Sequence, residues 1–347
     1  MNTRPPSLRA VAAAARVSVA TVSRVVNTVA TVDPKLRHRV ERALRELGYH
    51  HNALASAVMR EFRAPCGRLH RGTLALLAHH PEKDWHRDEL YYYHEFVSGA
   101  NERAEKLGYK TEVFCLNEPG VSRARLAGIL EARGIEGVLL LPLPTRTHSL
   151  SFPFEHFASI KLGYMLQSPL LHRVTTDYVM HLSRVLERLD AAGYERVGYV
   201  VDDLIEERLA RLAQAHFLLY QQKVPRQHRV PLYTGQLLGN EAGAKPFLSW
   251  WKKHRPDAII CQHLQPYFWM REEGIRFPSD AGFVAITTRP GHPEVSGMLP
   301  CLGEIAATGI DLLSHAVLHA DRGVPRFQRT VLICGTWHEG RTLRPTR

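Results

Sequence analysis

The sequence predicts an α/β protein with a small all-helical head and a larger, two-lobed core of parallel sheets. Three observations lead there. The first fifty residues contain three short stretches with apolar side chains at helical spacing. From Thr73 onward strand-like and helix-like runs alternate, the pattern of βα units. The roughly 275 residues after the head are many for one such sheet, so two similar lobes are expected.

Charge separates the same two parts. The chain has 347 residues and a net charge of +11, with 45% hydrophobic and 23% charged residues. Met1–Ala64 holds eleven Lys or Arg against four Asp or Glu, a net +7, and leaves +4 for the much longer remainder. A basic, patterned segment on a near-neutral body points to an anionic partner, most simply nucleic acid. The alternative is a solvated basic tail. The longest apolar stretch, around Gly137–Leu143, is far below the roughly 18–20 residues of a membrane span. "MNTRPPS" lacks an apolar signal core, so a cytoplasmic location and no membrane partner are expected. The five cysteines, Cys66, Cys115, Cys261, Cys301 and Cys334, are scattered and form no CxxC pair, which argues against a disulfide framework or zinc site. The His50–His51 and His79–His80 pairs lack helical metal-ligand spacing. No metal or cofactor is therefore expected.

In the head, Leu8, Val11, Ala12 and Ala15 share one helical face, with Ser7 as N-cap. Ser18 caps a second helix. There Val22, Val25 and Val26 lie on one arc, Ala20, Arg24 and Asn27 on the opposite arc, and Ser23 on its flank. A third helix starts at Asp33-Pro34, buries Leu36, Val40, Leu44 and Leu47, and ends at Gly48. Three short helices with a tight first turn form a helix-turn-helix unit whose second helix reads the DNA major groove. Arg24 can donate two bonds to a guanine edge, and Val19 and Ala20 can touch thymine methyls. Ser18, Thr21, Ser23 and Asn27 suit phosphate or base contacts. The alternative is a small helical domain that binds protein.

"LRAVAAAARVSVATVSRVVN" and "VDPKLRHRVERALRELGYHHNALA" resemble the DNA-binding head of the LacI/GalR (lactose-repressor type) transcription factors, almost continuously from Leu8 to Ala55. The resemblance implies a head over residues 1–49, a hinge helix over 50–62 and a linker over 63–72. It adds Tyr49, Asn52, Leu54, Ala55 and Val58 to the DNA contacts, with Val58 at the minor-groove wedge position. Val is smaller and stiffer than the family's usual Leu, which implies a shallower kink. The family also implies a homodimer on double-stranded operator DNA, acting as a repressor. It commonly places Gly where Arg16 stands. Either Arg16 is strained and contacts phosphate, or the turn departs from the family's form.

In the core, strand-like runs are "TLALLAH", "KTEVFCL", "GVLLLPL", "ASIKLGY", "RVTTD", "RVGYVV", "AIICQ" and "GFVAITT". Helix-like runs between them include Tyr92–Leu107, Ser122–Arg133, His181–Ala192 and Glu206–Gln222. No G-x-S-x-G, P-loop or G-x-G-x-x-G pattern occurs in a fitting context, so a binding core is expected rather than an enzyme. Two alternatives stay open: a sugar- or nucleotide-processing enzyme with a DNA-binding head, and a regulator whose core binds no ligand.

"EFVSGANERAEKLGYK", "GIEGVLLLPLP", "AAGYERVGYVV" and "GTWHEGRTLRP" resemble the family's periplasmic-binding-protein-like core. That implies a core over 73–347, with lobe 1 at about 73–174 and 304–323, and lobe 2 at about 175–300 and 326–347. A small-molecule effector, of which a carbohydrate is one class, would sit between the lobes at the strand ends. The residues carried over are Tyr92 and Tyr93 as ring-stacking aromatics, Tyr164, Asp177, Arg211, Gln262, His263 and Thr288. One of the two tyrosines is equally well placed as core, and Asp177 and Arg211 as surface salt-bridge partners. Gln262-His263 replaces the family's Asn-Asp, Ile286–Arg289 carries no acid, and Pro266 interrupts the helix after Gln262. The acids that grip sugar hydroxyls are missing.

Overall fold

The computed structural model describes residues 8–18, 21–22, 25, 33–47, 71–86, 90, 92–144, 147–235, 237, 241–288 and 291–346. The chain divides into two units, Met1–Leu69 and His70–Arg347.

In the first unit α1 spans Leu8–Ala15 and α2 spans Pro34–Glu46, and Thr21, Val22 and Val25 between them are helical. Val11, Ala12, Ala15, Val22, Val25, Val40 and Ala43 form one small core. Val22 and Val25 are buried in it, so packing at helical spacing overrides the strand preference of valine. Ser18 Oγ accepts from the Thr21 N–H at 3.1 Å, and Asp33 Oδ1 from the Leu36 N–H at 3.3 Å, each meeting an otherwise unpaired first-turn donor.

Arg16 adopts φ 51°, the left-handed form expected of glycine. The Val17 N–H donates to Ala12 O (3.0 Å) and the Arg16 N–H to Ala13 O (3.2 Å), a Schellman closure of α1. The turn thus keeps its form without glycine. A non-glycine residue here costs on the order of 1 kcal/mol. Arg39 of α2 supports the turn: its Nη2 donates to Ala15 O (2.6 Å) and Arg16 O (3.1 Å), placing a cation at the carbonyl end of α1.

The second unit holds two six-stranded sheets. The strands are β1 Gly72–Ala78, β2 Tyr109–Cys115, β3 Gly137–Leu140, β4 Ala158–Leu162, β5 His172–Thr176, β6 Val197–Asp202, β7 Tyr233–Gly235, β8 Ala258–Cys261, β9 Gly282–Ala285, β10 Ser296–Leu299, β11 Thr330–Ile333 and β12 Thr336–His338. One sheet has order β11-β5-β4-β3-β1-β2, the other β12-β10-β9-β8-β6-β7. All pairings are parallel except β10 with β12. The helices are α3 Tyr92–Lys106, α4 Arg123–Ala132, α5 Tyr178–Ala191, α6 Asp203–Arg208, α7 Leu212–Lys223, α8 Ala244–His254, α9 Gln265–Glu272 and α10 Leu302–His319.

Both faces of each sheet are covered. Residues of α3 and α10 share one core with β1 and β4, and residues of α4 bury the opposite face. In the second lobe α5 and α7 cover one face, and α8 and α9 the other. β3, β8 and β9 are buried along their whole length, which explains their unbroken apolar runs; β4 and β6 are buried as fully although they carry Ser159, Lys161 and Asp202. α3 and α10 touch backbone to backbone: a Cβ on Gly99 would lie 2.2 Å from Gly303 O.

The chain crosses between the lobes three times, after β5, after β10 and after β11. The crossings lie together, with the Asp177 N–H donating to Ile333 O at 3.0 Å. Among the described residues no helix is long and apolar enough to cross a membrane.

At four places the structure departs from what the sequence predicts. Residues 326–347 do not all lie in lobe 2, because β11 pairs with β5 in the first sheet. Gly72 opens β1 rather than closing a linker. Glu206–Gln222 is not one helix: α6 and α7 are separated by Ala210 (φ 54°) and Arg211 (φ 56°), both left-handed. Pro266 does not interrupt a helix but lies in the first turn of α9, where its missing N–H costs nothing.

Candidate functional site

In the head, Ser18 and Thr21 are described, and their hydroxyls bond each other at 2.9 Å at the start of the second helix. Val19, Ala20, Ser23, Arg24, Asn27, Tyr49, Asn52, Leu54, Ala55 and Val58 lie outside the described residues, as does the 50–62 hinge segment.

The core has a cleft of about 290 Å³ between its lobes. Leu162, Thr176, Gln262 and Thr287 bring it the C-terminal ends of β4, β5, β8 and β9. This is where parallel sheets expose a crevice, because adjoining helices leave in opposite directions. Tyr92 and Tyr164 supply rings from the first lobe, and Tyr178, Ile205 and Leu209 supply a ring and apolar surface from the second. Among the described lining residues none is Asp, Glu, Lys or Arg. The lobes also meet through His148 Nε2 and Glu207 Oε1, 2.9 Å apart.

The carried-over residues do not all converge here. Tyr92, Tyr164, Gln262 and His263 line the cleft. Tyr93 does not: it is fully buried, stacked on Trp85 with ring centres 5.1 Å apart, and its hydroxyl donates to Pro142 O at 2.8 Å. Asp177 caps α5 by accepting from the Met180 N–H at 2.9 Å, at the first crossing rather than in the cleft wall. Arg211 is exposed, 3.5 Å from Asp203 and 3.2 Å from Gln214 Oε1, the surface salt bridge left open above. Thr288 is buried with Oγ1 unpaired, and its neighbour Thr287 lines the cleft instead. Along extended chain a one-residue offset turns a side chain to the opposite face. Tyr178, Phe96 and Met165 also line the cleft without having been singled out. In sequence they look like ordinary core.

Behind Gln262 lies a buried polar group. Glu206 is fully enclosed, and burial raises its carboxyl above the usual carboxylate range. Tyr199 Oη donates to Glu206 Oε1 at 2.5 Å. Gln262 Nε2 donates to Tyr199 Oη at 2.8 Å and also to Glu206 Oε1. This turns the Gln262 amide so that its Oε1, like Glu206 Oε2, is buried without a hydrogen-bond partner. The unpaired Gln262 Oε1, on a residue of the cleft wall, suits a ligand that brings an O–H or N–H donor. On the other wall the Arg173 guanidinium lies 4.4 Å from the Tyr164 ring centre and steadies that ring.

Comparison with known proteins agrees with this architecture. The profile of "Bacterial regulatory proteins, lacI family" matches residues 7–52. The HTH-type transcriptional regulator CelR of Thermobifida fusca is 31% identical over 203 residues, 57% of this chain and 56% of CelR. The alignment thus spans little more than half of that relative. Among solved structures, a CelR–cellobiose complex aligns with a TM-score of 0.57 at 20% identity, covering 97% of this chain and 99% of its own. A lac repressor dimer bound to operator and the anti-inducer ONPF aligns with a TM-score of 0.56 at 20% identity, covering 99% and 100%. At that identity the likeness is one of fold.

Proposed function

We propose that the chain is a LacI/GalR-type regulator: a cytoplasmic, homodimeric repressor of transcription whose operator affinity is set by a small molecule in the interlobe cleft. The reading is carried by one chain combining a lacI-type head, residues 7–52, with a core cleft lined from both lobes. A ligand that binds one lobe angle better than another shifts the population toward it, and the same free energy appears as changed DNA affinity.

The cleft suits a neutral ligand with an apolar ring face and at least one hydrogen-bond donor. The ring packs on Tyr92 or Tyr164, and the donor meets Gln262. A carbohydrate offers both features, and the cellobiose named with CelR supports that class.

In the head, Arg24 is the base-reading residue. Arg24→Ala is expected to weaken operator binding by about 1–3 kcal/mol and relax preference at one base pair per half-site. Fluorescence anisotropy on operator and single-base variants measures both. Unchanged affinity and unchanged preference would remove Arg24 from the reading face.

A further inference from the structure

Away from the three crossings, one side chain of each lobe reaches the other lobe. His148 stands between β3 and β4 in the first lobe, and Glu207 stands on α6 in the second. Their Nε2 and Oε1 atoms are 2.9 Å apart. A carboxylate only accepts, so His148 Nε2–H is the donor. His148 Nδ1 is buried without a hydrogen-bond partner, which leaves Glu207 as the partner of the ring. Both groups are fixed to segments that line the cleft. The His148 carbonyl accepts from the N–H groups of Gln167 (2.8 Å) and Ser168 (3.0 Å), on the loop after β4 that brings Tyr164 and Met165 to the cleft. Glu207 lies between Ile205 and Leu209, which line the cleft from α6 and its C-terminal cap. Its neighbour Glu206 accepts from Gln262 of the cleft wall. The start of α6 is pinned by Asp202, whose Oδ1 accepts from the N–H groups of Leu204 (3.0 Å) and Ile205 (3.3 Å).

We propose that His148 and Glu207 are a latch that holds the two lobes at their angle and through which the cleft is regulated. The proposal rests on the reading that a ligand in the cleft acts through lobe angle. One hydrogen bond between partly exposed groups adds little to the stability of a folded lobe. Both lobes stay folded at every lobe angle, however, so two angles differ by far less free energy than folded and unfolded chains do. The same bond is then a large part of the difference between angles. It must break when the lobes rotate about the crossings, because each partner is fixed to its own lobe. α6 also joins the latch to the ligand site. A ligand that engages Gln262 acts on Glu206, one residue before the latch, and one that packs on Ile205 or Leu209 acts on the same short helix.

The test reads the lobe angle in the full chain. Nitroxides carried by p-acetylphenylalanine in place of Arg125 on α4 and Lys253 on α8, exposed positions of the first and second lobe, leave the 5 cysteines unlabelled. Labelled chain is diluted in unlabelled chain, so that electron double resonance reads distances within one chain. His148→Ala and Glu207→Ala should each shift and broaden the interlobe distance while keeping the parent melting temperature. The double variant should shift it no further than either single one, because no bond is left to break. The exchanged pair, His148→Glu with Glu207→His, should restore the narrow parent distance. If His148→Ala does not fold, Glu207→Ala and the exchanged pair decide. Anisotropy on the operator that the parent chain selects should show an affinity changed several-fold in both single variants. An unchanged distance in both single variants would overturn the latch, as would a double variant whose shift is the sum of the two. A shifted distance with unchanged operator affinity would uphold the latch and overturn instead the reading that lobe angle governs DNA binding.

Discussion

Gly99→Ala is expected to lower the stability of the core by about 3 kcal/mol. The added Cβ would meet Gly303 backbone, 2.2 Å from its O and 2.4 Å from its Cα, and no side chain can turn aside to admit it. α3 and α10 would have to move apart, opening the apolar core they share with β1 and β4. Urea denaturation followed by circular dichroism measures the loss. Gly128→Ala on α4 is the matched control, because nothing lies within 4 Å of a Cβ there. It should be neutral, or stabilising by up to about 1 kcal/mol through helix propensity. Equal midpoints for the two variants would mean that the helix backbones do not touch as described.

His181 carries the second large effect. It is fully buried, with Nδ1 3.1 Å from Ile286 O and Nε2 accepting from the Gly335 N–H at 2.8 Å. Those partners require the neutral ring with its proton on Nδ1. Burial, reinforced by Arg184, lowers the pKa to about 4, against the raising influence of the Ile286 carbonyl and Asp177. Above pH 6.5 the ring is neutral in both folded and unfolded chains and contributes no pH dependence. Between 6.5 and 4 only the unfolded chain takes up the proton, so stability falls as pH falls. From the lowering to about 4, the loss is on the order of 3 kcal/mol. His79, also lowered to about 4 by burial and then His80 and Arg123, adds in the same direction. His181→Gln can keep both hydrogen bonds without titrating and should flatten that pH slope. His181→Ala leaves a buried N–H and a buried C=O unpaired beside a cavity, a loss of about 2–4 kcal/mol at pH 7. Urea midpoints at pH 7 and pH 5 measure all three. A histidine protein and a glutamine variant with the same pH slope would exclude His181 as its source.

Much of this architecture was legible because local signals agreed with the final packing. Val22 and Val25 fall at helical spacing and are buried as that spacing requires. Buried parallel strands such as β3 and β8 are apolar on both faces, so they stand out as short unbroken runs. β7, β10 and β11 stand out less: β7 is only Tyr-Thr-Gly, β10 opens on Ser-Gly, and β11 is a partly exposed edge strand in which alternate residues face solvent. The break between α6 and α7 was hidden because its left-handed residues are Ala210 and Arg211 rather than glycine. The cleft was harder to read than the fold. Tyr92 and Tyr93 are adjacent, yet helix geometry sends one to the cleft and the other into the core. The Glu206–Tyr199–Gln262 group joins β6 and α6 to the end of β8, some sixty residues on, and no local pattern announces it.

The proposed function requires that the chain read DNA sequence as a two-fold dimer. Selection of bound duplexes from a random pool by the full-length protein tests it most directly. Enrichment of a pseudo-palindromic site with two half-sites is expected, and its loss when Arg24→Ala replaces the parent chain in the selection. Recovery of no common sequence, or of a single unpaired half-site, would contradict it.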